Sequence, residues 1–301
     1  MGKRIPGMGL TATAMTALLV GGGVAAAASP AEHLAQPHAS VQLIAEQSCL
    51  RPGSAATIGI HFTIESGWHI YWNGRNDSGF APEIEWTLPE GLTIDAVQWP
   101  APVRHVAPGD ILDHVYEDHV TLLVPVQVSS AFKPDGDGAR LTIKAKVKYL
   151  VCNEACVPED ASVSLTLPVC SPGLPPHKSA DAPKFVEARK RIPATVGAEF
   201  KDLGTVWTKE TVTLKVIGAA GLTFFPASDC ADLDSPITTA QSTTTTLTLR
   251  PGGDPAAIRG VLEVRRPRGA PSDFYSINLE PPKVRDPGPS PIGAPQPPKP
   301  R

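Results

Sequence analysis

Five cysteines carry the most telling chemistry of this 301-residue chain: Cys49, Cys152, Cys156, Cys170 and Cys230. Cys152 and Cys156 stand together in Y-L-V-C-N-E-A-C-V-P-E. Two thiols that close can work as an exchange pair, one thiolate attacking a substrate disulfide and its neighbour resolving the mixed disulfide. As a staple the pair is a poor choice, because closing so short a loop removes little entropy from the unfolded chain. Short loops also favour strained geometry, and strained or exposed disulfides are the easily reduced ones. Two other readings of the pair stay open. It can be an inert surface clip, or two thiolates can hold a soft ion such as copper(I) with a histidine completing the site.

Cys49 and Cys170 suggest a different role. In a sandwich whose first and last strands run side by side, cysteines at their matching ends come within bonding range. A bridge there closes a loop of about 120 residues, where the chain-entropy model gives about 4–5 kcal/mol. An odd total leaves one cysteine over, and that is Cys230, after Phe224-Phe225-Pro226, either buried and inert or available to a second chain. His61, His69, His105, His114 and His119 are scattered. Isolated histidines are more often surface or hydrogen-bonding groups than ligands, so no metal site is assigned to them.

The elements that must hold these residues are short strands. The chain has 33 Pro and 26 Gly, which favours strands joined by turns over long helices. Alternating apolar positions mark strands at 41–46, 56–64, 83–86, 120–128, 141–149 and 162–167. Six or seven strands over about 130 residues suggest an immunoglobulin-like β-sandwich. Pro158 argues against a helix through Cys152 and Cys156, so the pair is expected in a tight excursion at a strand end.

Beyond the sandwich, 172–183 is Pro-rich and reads as a linker, and 184–192 (KFVEARKRI) as a short helix stopped by Pro193. A second, smaller β-rich domain is expected over 204–280, with strands at 211–217, 222–225, 243–249 and 260–264. The tail 281–301 is dominated by Pro and is expected to be extended. At the other end, 1–28 has the positive start, apolar stretch and Ala26-Ala27-Ala28 of an export signal, with 29–40 as a flexible lead-in. The apolar stretch is short for a membrane anchor, the alternative reading. Export implies an oxidising compartment in which disulfides form. A net charge of −3 without a dense Lys/Arg run leaves no footprint for nucleic acid or an anionic membrane. The mature protein is expected to be soluble, with no cofactor.

Five blocks make the reading specific. These are G-W-H-I-Y-W-N-G-R-N-D-S-G-F-A-P (67–82), I-E-W-T-L-P-E-G (84–91), Q-W-P-A-P (98–102), Y-E-D-H-V-T-L-L-V-P-V (116–126) and Y-L-V-C-N-E-A-C-V-P-E (149–159). In this order they resemble the amino-terminal domain family of the DsbD thiol:disulfide interchange proteins, in its ScsB-like branch. The resemblance implies an immunoglobulin-like periplasmic domain with disulfide-reductase activity. It would take electrons from a thioredoxin-like or membrane-bound donor and pass them to oxidised substrate proteins.

The resemblance also places the redox pair on Cys152 and Cys156. Glu154 and Glu159 lie near it in sequence, and carboxylates beside a thiol make the thiolate rarer. The family caps its cysteines with an aromatic side chain from a loop, but the corresponding stretch 104–114 (RHVAPGDILDH) has no Phe, Tyr or Trp. Tyr116, Tyr149 or Trp72 is left to supply cover, while Trp68, Tyr71, Trp86 and Trp99 read as core. The sequence shows neither a membrane electron-transfer segment nor a C-x-x-C, so the pair would be served by separate partners. Two alternatives stand beside exchange: a non-enzymatic interaction module with a cysteine clip, and copper(I) handling, suggested by the link of the ScsB-like branch to copper tolerance.

Overall fold

Apolar side chains at every second position pull the strands into layers. The computed structural model describes residues 37–132, 140–170, 175–196, 202–252 and 257–282. The expected export signal, most of the lead-in and most of the Pro-rich tail lie outside the described residues. The first ten strands are β1 (Ala39–Ala45), β2 (Ala55–Ile64), β3 (His69–Tyr71), β4 (Glu83–Thr87), β5 (Leu92–Ile94), β6 (Val103–Ala107), β7 (Ile111–Glu117), β8 (His119–Val128), β9 (Arg140–Cys152) and β10 (Cys156–Pro168). They form two antiparallel sheets, one ordered β1-β2-β8-β5 and the other β10-β9-β3-β7-β6, with β4 also on β9. The class is all-β, as the composition and spacing led one to expect.

β9 shows how the pattern builds the frame. Leu141, Ile143, Ala145, Val147, Tyr149 and Val151 are buried in the core between the sheets, while the alternate Lys144, Lys146 and Lys148 face out. Ile58, Ile60, Phe62, Leu122, Val124 and Val126 meet them from the opposite sheet. The outer face of that opposite sheet is covered by α1 (Ala182–Arg189), where Phe185 and Ala188 pack on Ile44 and Leu123. The segment before α1 is tied to the first strand's end, with Ser48 donating to the His177 carbonyl and Ser179 to that of Glu46.

The remaining strands are β11 (Ala194–Thr195), β12 (Leu203–Trp207), β13 (Val212–Val216), β14 (Gly221–Pro226), β15 (Gln241–Ser242), β16 (Thr246–Leu249), β17 (Ile258–Arg265) and β18 (Asp273–Leu279), with one helical turn, α2 (Pro236–Thr239). They make a five-stranded sheet, β11-β18-β17-β14-β15, facing a three-stranded one, β12-β13-β16. β14 is buried along its whole length because both faces are covered. Phe224 points into this unit's own core, and Phe225, with Val261 and Phe274, joins the core of the first sandwich.

Two stretches differ from the sequence expectation. Residues 104–114, read as a capping loop, are the hairpin β6–β7 with its turn at 108–110. The strands at the cysteine pair also run further than the apolar alternation suggested, to Cys152 and from Cys156, because the ladder continues to the sulfurs themselves. Pro158 is tolerated there because β10 is an edge strand.

Candidate functional site

Cys152 and Cys156 are direct cross-strand partners at the tip of the β9–β10 hairpin and are joined as a disulfide. In the alternation of β9, Cys152 falls on the outward face, with the lysines rather than with the core. It is nonetheless only 2% exposed, while Cys156 is open to solvent. Cys152 is covered by a small cluster outside the main core, made with Tyr71 and Val115.

That cover depends on an interruption in the sheet. β3 and β4 lie end to end on the same edge of β9, His69 and Ile70 opposite Cys152 and Val151, and Glu83–Thr87 opposite Lys148–Lys144. Between them residues 72–82 leave the sheet and fold over the outward face. The Tyr71 hydroxyl donates to Cys152 Sγ at 3.1 Å and lies 3.4 Å from Cys156 Sγ and 3.0 Å from Ser78 Oγ. Ser78 in turn donates to Asp113 Oδ2 at 2.5 Å, and the backbone N–H groups of Asp77 and Ser78 donate to Asp113 Oδ1 at 2.9 and 3.0 Å. A carboxylate 2% exposed is thereby satisfied. Gly79 closes the loop onto the ring: a Cβ there would fall 2.2 Å from Tyr71 Cε2, so no other residue fits without moving the tyrosine.

Because the Ser78 proton is held by Asp113, the Ser78 oxygen is free to accept from Tyr71, and the phenol shares one proton between serine and sulfur. A disulfide sulfur is a weak acceptor, a thiolate a strong one. Burial raises the Tyr71 pKa above its ordinary value and Asp113 raises it further, while the Ser78 bond opposes them. The hydroxyl is therefore a donor and not a phenolate. The arrangement gives one accessible sulfur and one leaving group with a hydrogen-bond donor already in place.

The aromatic against the sulfurs is thus Tyr71, which read as core, and none of the three expected in its place. Tyr149 points inward, edge-on to Phe62, and donates to Glu159 and the Ala39 carbonyl. Tyr116 is buried and donates to the Pro100 carbonyl. Trp72 packs edge-on against His114 and Phe225. Glu159 is engaged by Tyr149 and by the His38 backbone N–H rather than turned to the pair. Glu154 is exposed in the hairpin tip. The carboxylate linked to the sulfurs is Asp113, which the sequence reading did not single out.

Elsewhere, Cys49 and Cys170 are joined by a disulfide spanning 121 residues, beside the parallel bridge Leu50–Val169. Cys230 is free and buried, its thiol pKa raised chiefly by that burial. His61, His69 and His114 are buried rather than superficial. No group of three or more His, Cys, Asp or Glu that could hold a metal occurs among the described residues.

Residues 38–168 match the family model of thiol:disulfide interchange protein DsbD, N-terminal. That segment belongs to the DsbD amino-terminal domain family. The match takes in Cys152, Cys156, the 72–82 excursion and Asp113, and ends before Cys170 and the second β unit. Among solved structures, the N-terminal periplasmic domain of ScsB from Proteus mirabilis is similar at 17% identity, covering 80% of this chain and 91% of that one, with a TM-score of 0.48. The E. coli chaperone DraB follows at 7% identity, 80% and 98% coverage and TM-score 0.21. BcpA, the major pilin subunit of Bacillus cereus, matches at 9% identity, 81% and 67% coverage and TM-score 0.27. No curated protein matches the chain. No helix among the described residues is long and apolar enough to cross a membrane.

Proposed function

We propose that this chain is a periplasmic thiol–disulfide exchange protein, an electron relay in which Cys152 and Cys156 alternate between disulfide and dithiol. The observation that carries the reading is the asymmetry of the pair: an open Cys156 joined to a buried Cys152 whose sulfur accepts the Tyr71 hydrogen bond. Membership of residues 38–168 in the DsbD amino-terminal family supports it. A donor of the thioredoxin-like class, soluble or membrane-bound, attacks Cys156 Sγ with its thiolate. The bond to Cys152 breaks, and its electron pair leaves on Cys152, where Tyr71 stabilises the charge. The donor's second thiol then attacks the mixed disulfide and releases Cys156. The dithiol reduces an oxidised substrate protein by the same steps in reverse. An export signal at 1–28 delivers the protein, and Cys49–Cys170 is a structural bridge.

The test is a redox titration of the purified protein against glutathione and thioredoxin buffers. A midpoint within the range of known exchange proteins, about −120 to −270 mV, supports the reading. A pair that remains oxidised far below that range is a clip, and the reading fails. Tight copper(I) binding, lost in Cys152→Ser and unaccompanied by exchange, would replace it with metal handling.

A further inference from the structure

The face that carries the sulfurs holds one more polar group, which exchange through Tyr71 leaves unused. His69 opposes Cys152 in the β3–β9 register, so the two side chains leave the same face with Cβ atoms about 4.5–5.5 Å apart. Its ring is 5% exposed, stands edge-on to Tyr71 at 5.4 Å, and lies 4.5 Å from the ring of His105. The titratable groups around it are Tyr71 on its own strand, Cys152, Glu154 and Cys156 on the β9–β10 hairpin, Asp113 and Glu117 on β7, and His105 on β6. The carboxylates are otherwise engaged or exposed: Asp113 by Ser78 and the loop N–H groups, Glu117 by His105 Nδ1 at 3.8 Å, and Glu154 in the hairpin tip. Burial, and then the neighbouring His105, hold the imidazole pKa down at about 4. Facing the disulfide, His69 is therefore neutral at ordinary pH.

We propose that His69 is the proton carrier of the redox pair, neutral while the sulfurs are joined and protonated when Cys152 becomes a thiolate. The inference rests on the exchange reading above and adds the path of one proton. When a donor thiolate bonds to Cys156 Sγ, the electron pair of the broken Sγ–Sγ bond stays on Cys152. A negative charge then appears opposite a buried imidazole, and an opposite charge at such a range favours the protonated form. One proton enters from water at His69 and is shared with the Cys152 sulfur. The second proton reaches Cys156 from solvent when the mixed disulfide resolves. The donor ends as a disulfide, having lost two electrons and two protons, and the pair ends reduced, having gained the same, with one of its protons shared between Cys152 and His69.

The histidine ring resonances of the full protein are followed by NMR against pH, once oxidised and once after reduction with a phosphine. The His69 ring, identified by its contact with Tyr71 and by its disappearance in His69→Gln, is expected to titrate near pH 4 when oxidised. After reduction its midpoint should rise by about 1 pH unit or more. Equal midpoints in the two states overturn the proposal.

As a second readout, the thiolate absorbance of the reduced protein at neutral pH should be present in the wild type and lost in His69→Gln, because only a protonated imidazole beside the sulfur holds Cys152 as thiolate there. Equal thiolate absorbance in the two reduced proteins also overturns it. The NMR arm needs only chemical reduction, so it reads His69 even if no protein thiol exchanges with the pair. Failure of the exchange reading shows separately, as a missing equilibrium with glutathione. A pair that the phosphine cannot open sinks both.

Discussion

Replacing Tyr71 with Phe removes a single hydroxyl and leaves the ring under Gly79 and beside His69. That hydroxyl is the one donor within reach of both sulfurs among the described residues, at 3.1 and 3.4 Å. It acts where charge develops, on the sulfur of Cys152 as the disulfide opens. A hydrogen bond to a charged group contributes about 1.5–3 kcal/mol, against about 1 kcal/mol for a neutral pair. With about 1.4 kcal/mol to each factor of ten in rate, Tyr71→Phe should slow reduction of the pair by about 10-fold to 100-fold. The equilibrium should move less, because in the reduced state the charge on Cys152 is already offset by the proton on His69, and the same hydroxyl also contacts both sulfurs of the disulfide. Single-turnover reduction by dithiothreitol, and then by a thioredoxin-like donor, measures the rate through tryptophan fluorescence, and glutathione buffers measure the equilibrium. An unchanged rate in a folded Tyr71→Phe protein would refute the assignment of Tyr71 as the group that stabilises the leaving sulfur.

Cys152→Ser should leave an accessible thiol that traps partners as stable mixed disulfides, whereas Cys156→Ser leaves a buried thiol that traps few; non-reducing gels of periplasmic extracts read the difference. Replacing both Cys49 and Cys170 with Ala should lower unfolding stability by about 4–5 kcal/mol, given the length of the loop that their bridge closes, with the redox midpoint unchanged. Gly79→Ala should slow exchange much as Tyr71→Phe does, since the added carbon displaces the ring, and a crystal structure with Tyr71 still on the sulfurs would contradict this. His114 and His69 are each held near pKa 4, chiefly by burial, against an ordinary 6.5. The unfolded chain therefore takes up their protons first as pH falls. Stability is complete above about pH 6.5 and lost towards pH 4, by up to about 3 kcal/mol for each residue. Urea melts between these limits should show a shallower loss in His114→Gln.

The frame was legible wherever a strand covers one face of the core. β9 alternates without exception from Leu141 to Tyr149, β2 sets Ile58, Ile60, Phe62 and Ile64 at every second position, and the apolar run of β8 is long enough to declare itself. β3 was not legible: three buried residues, His69–Tyr71, have no period to read, and their place is set by the ladder to Cys152. β6 and β7 were hidden by Pro108, Gly109 and Asp110, which mark a hairpin turn as readily as a loop. The cysteine pair was visible because two thiols four positions apart are a chemical signal in themselves. Tyr71 was not, since an aromatic between apolar neighbours reads as core. Ser78 and Asp113 are 35 residues apart and meet only through the fold. The signal that could have exposed Tyr71 is the alternation itself, which puts its side chain on the same outward face as Cys152 once β3 is set beside β9.

Cys152 and Cys156 are already neighbours through the ladder before any sulfur bond is counted. Opening that bond releases no strand and frees no loop, so a visiting protein meets the same outline before and after turnover. Whether it stays or departs cannot then hinge on a change of shape. It has to be decided at the mouth of the hairpin, by the charge and protonation of two atoms.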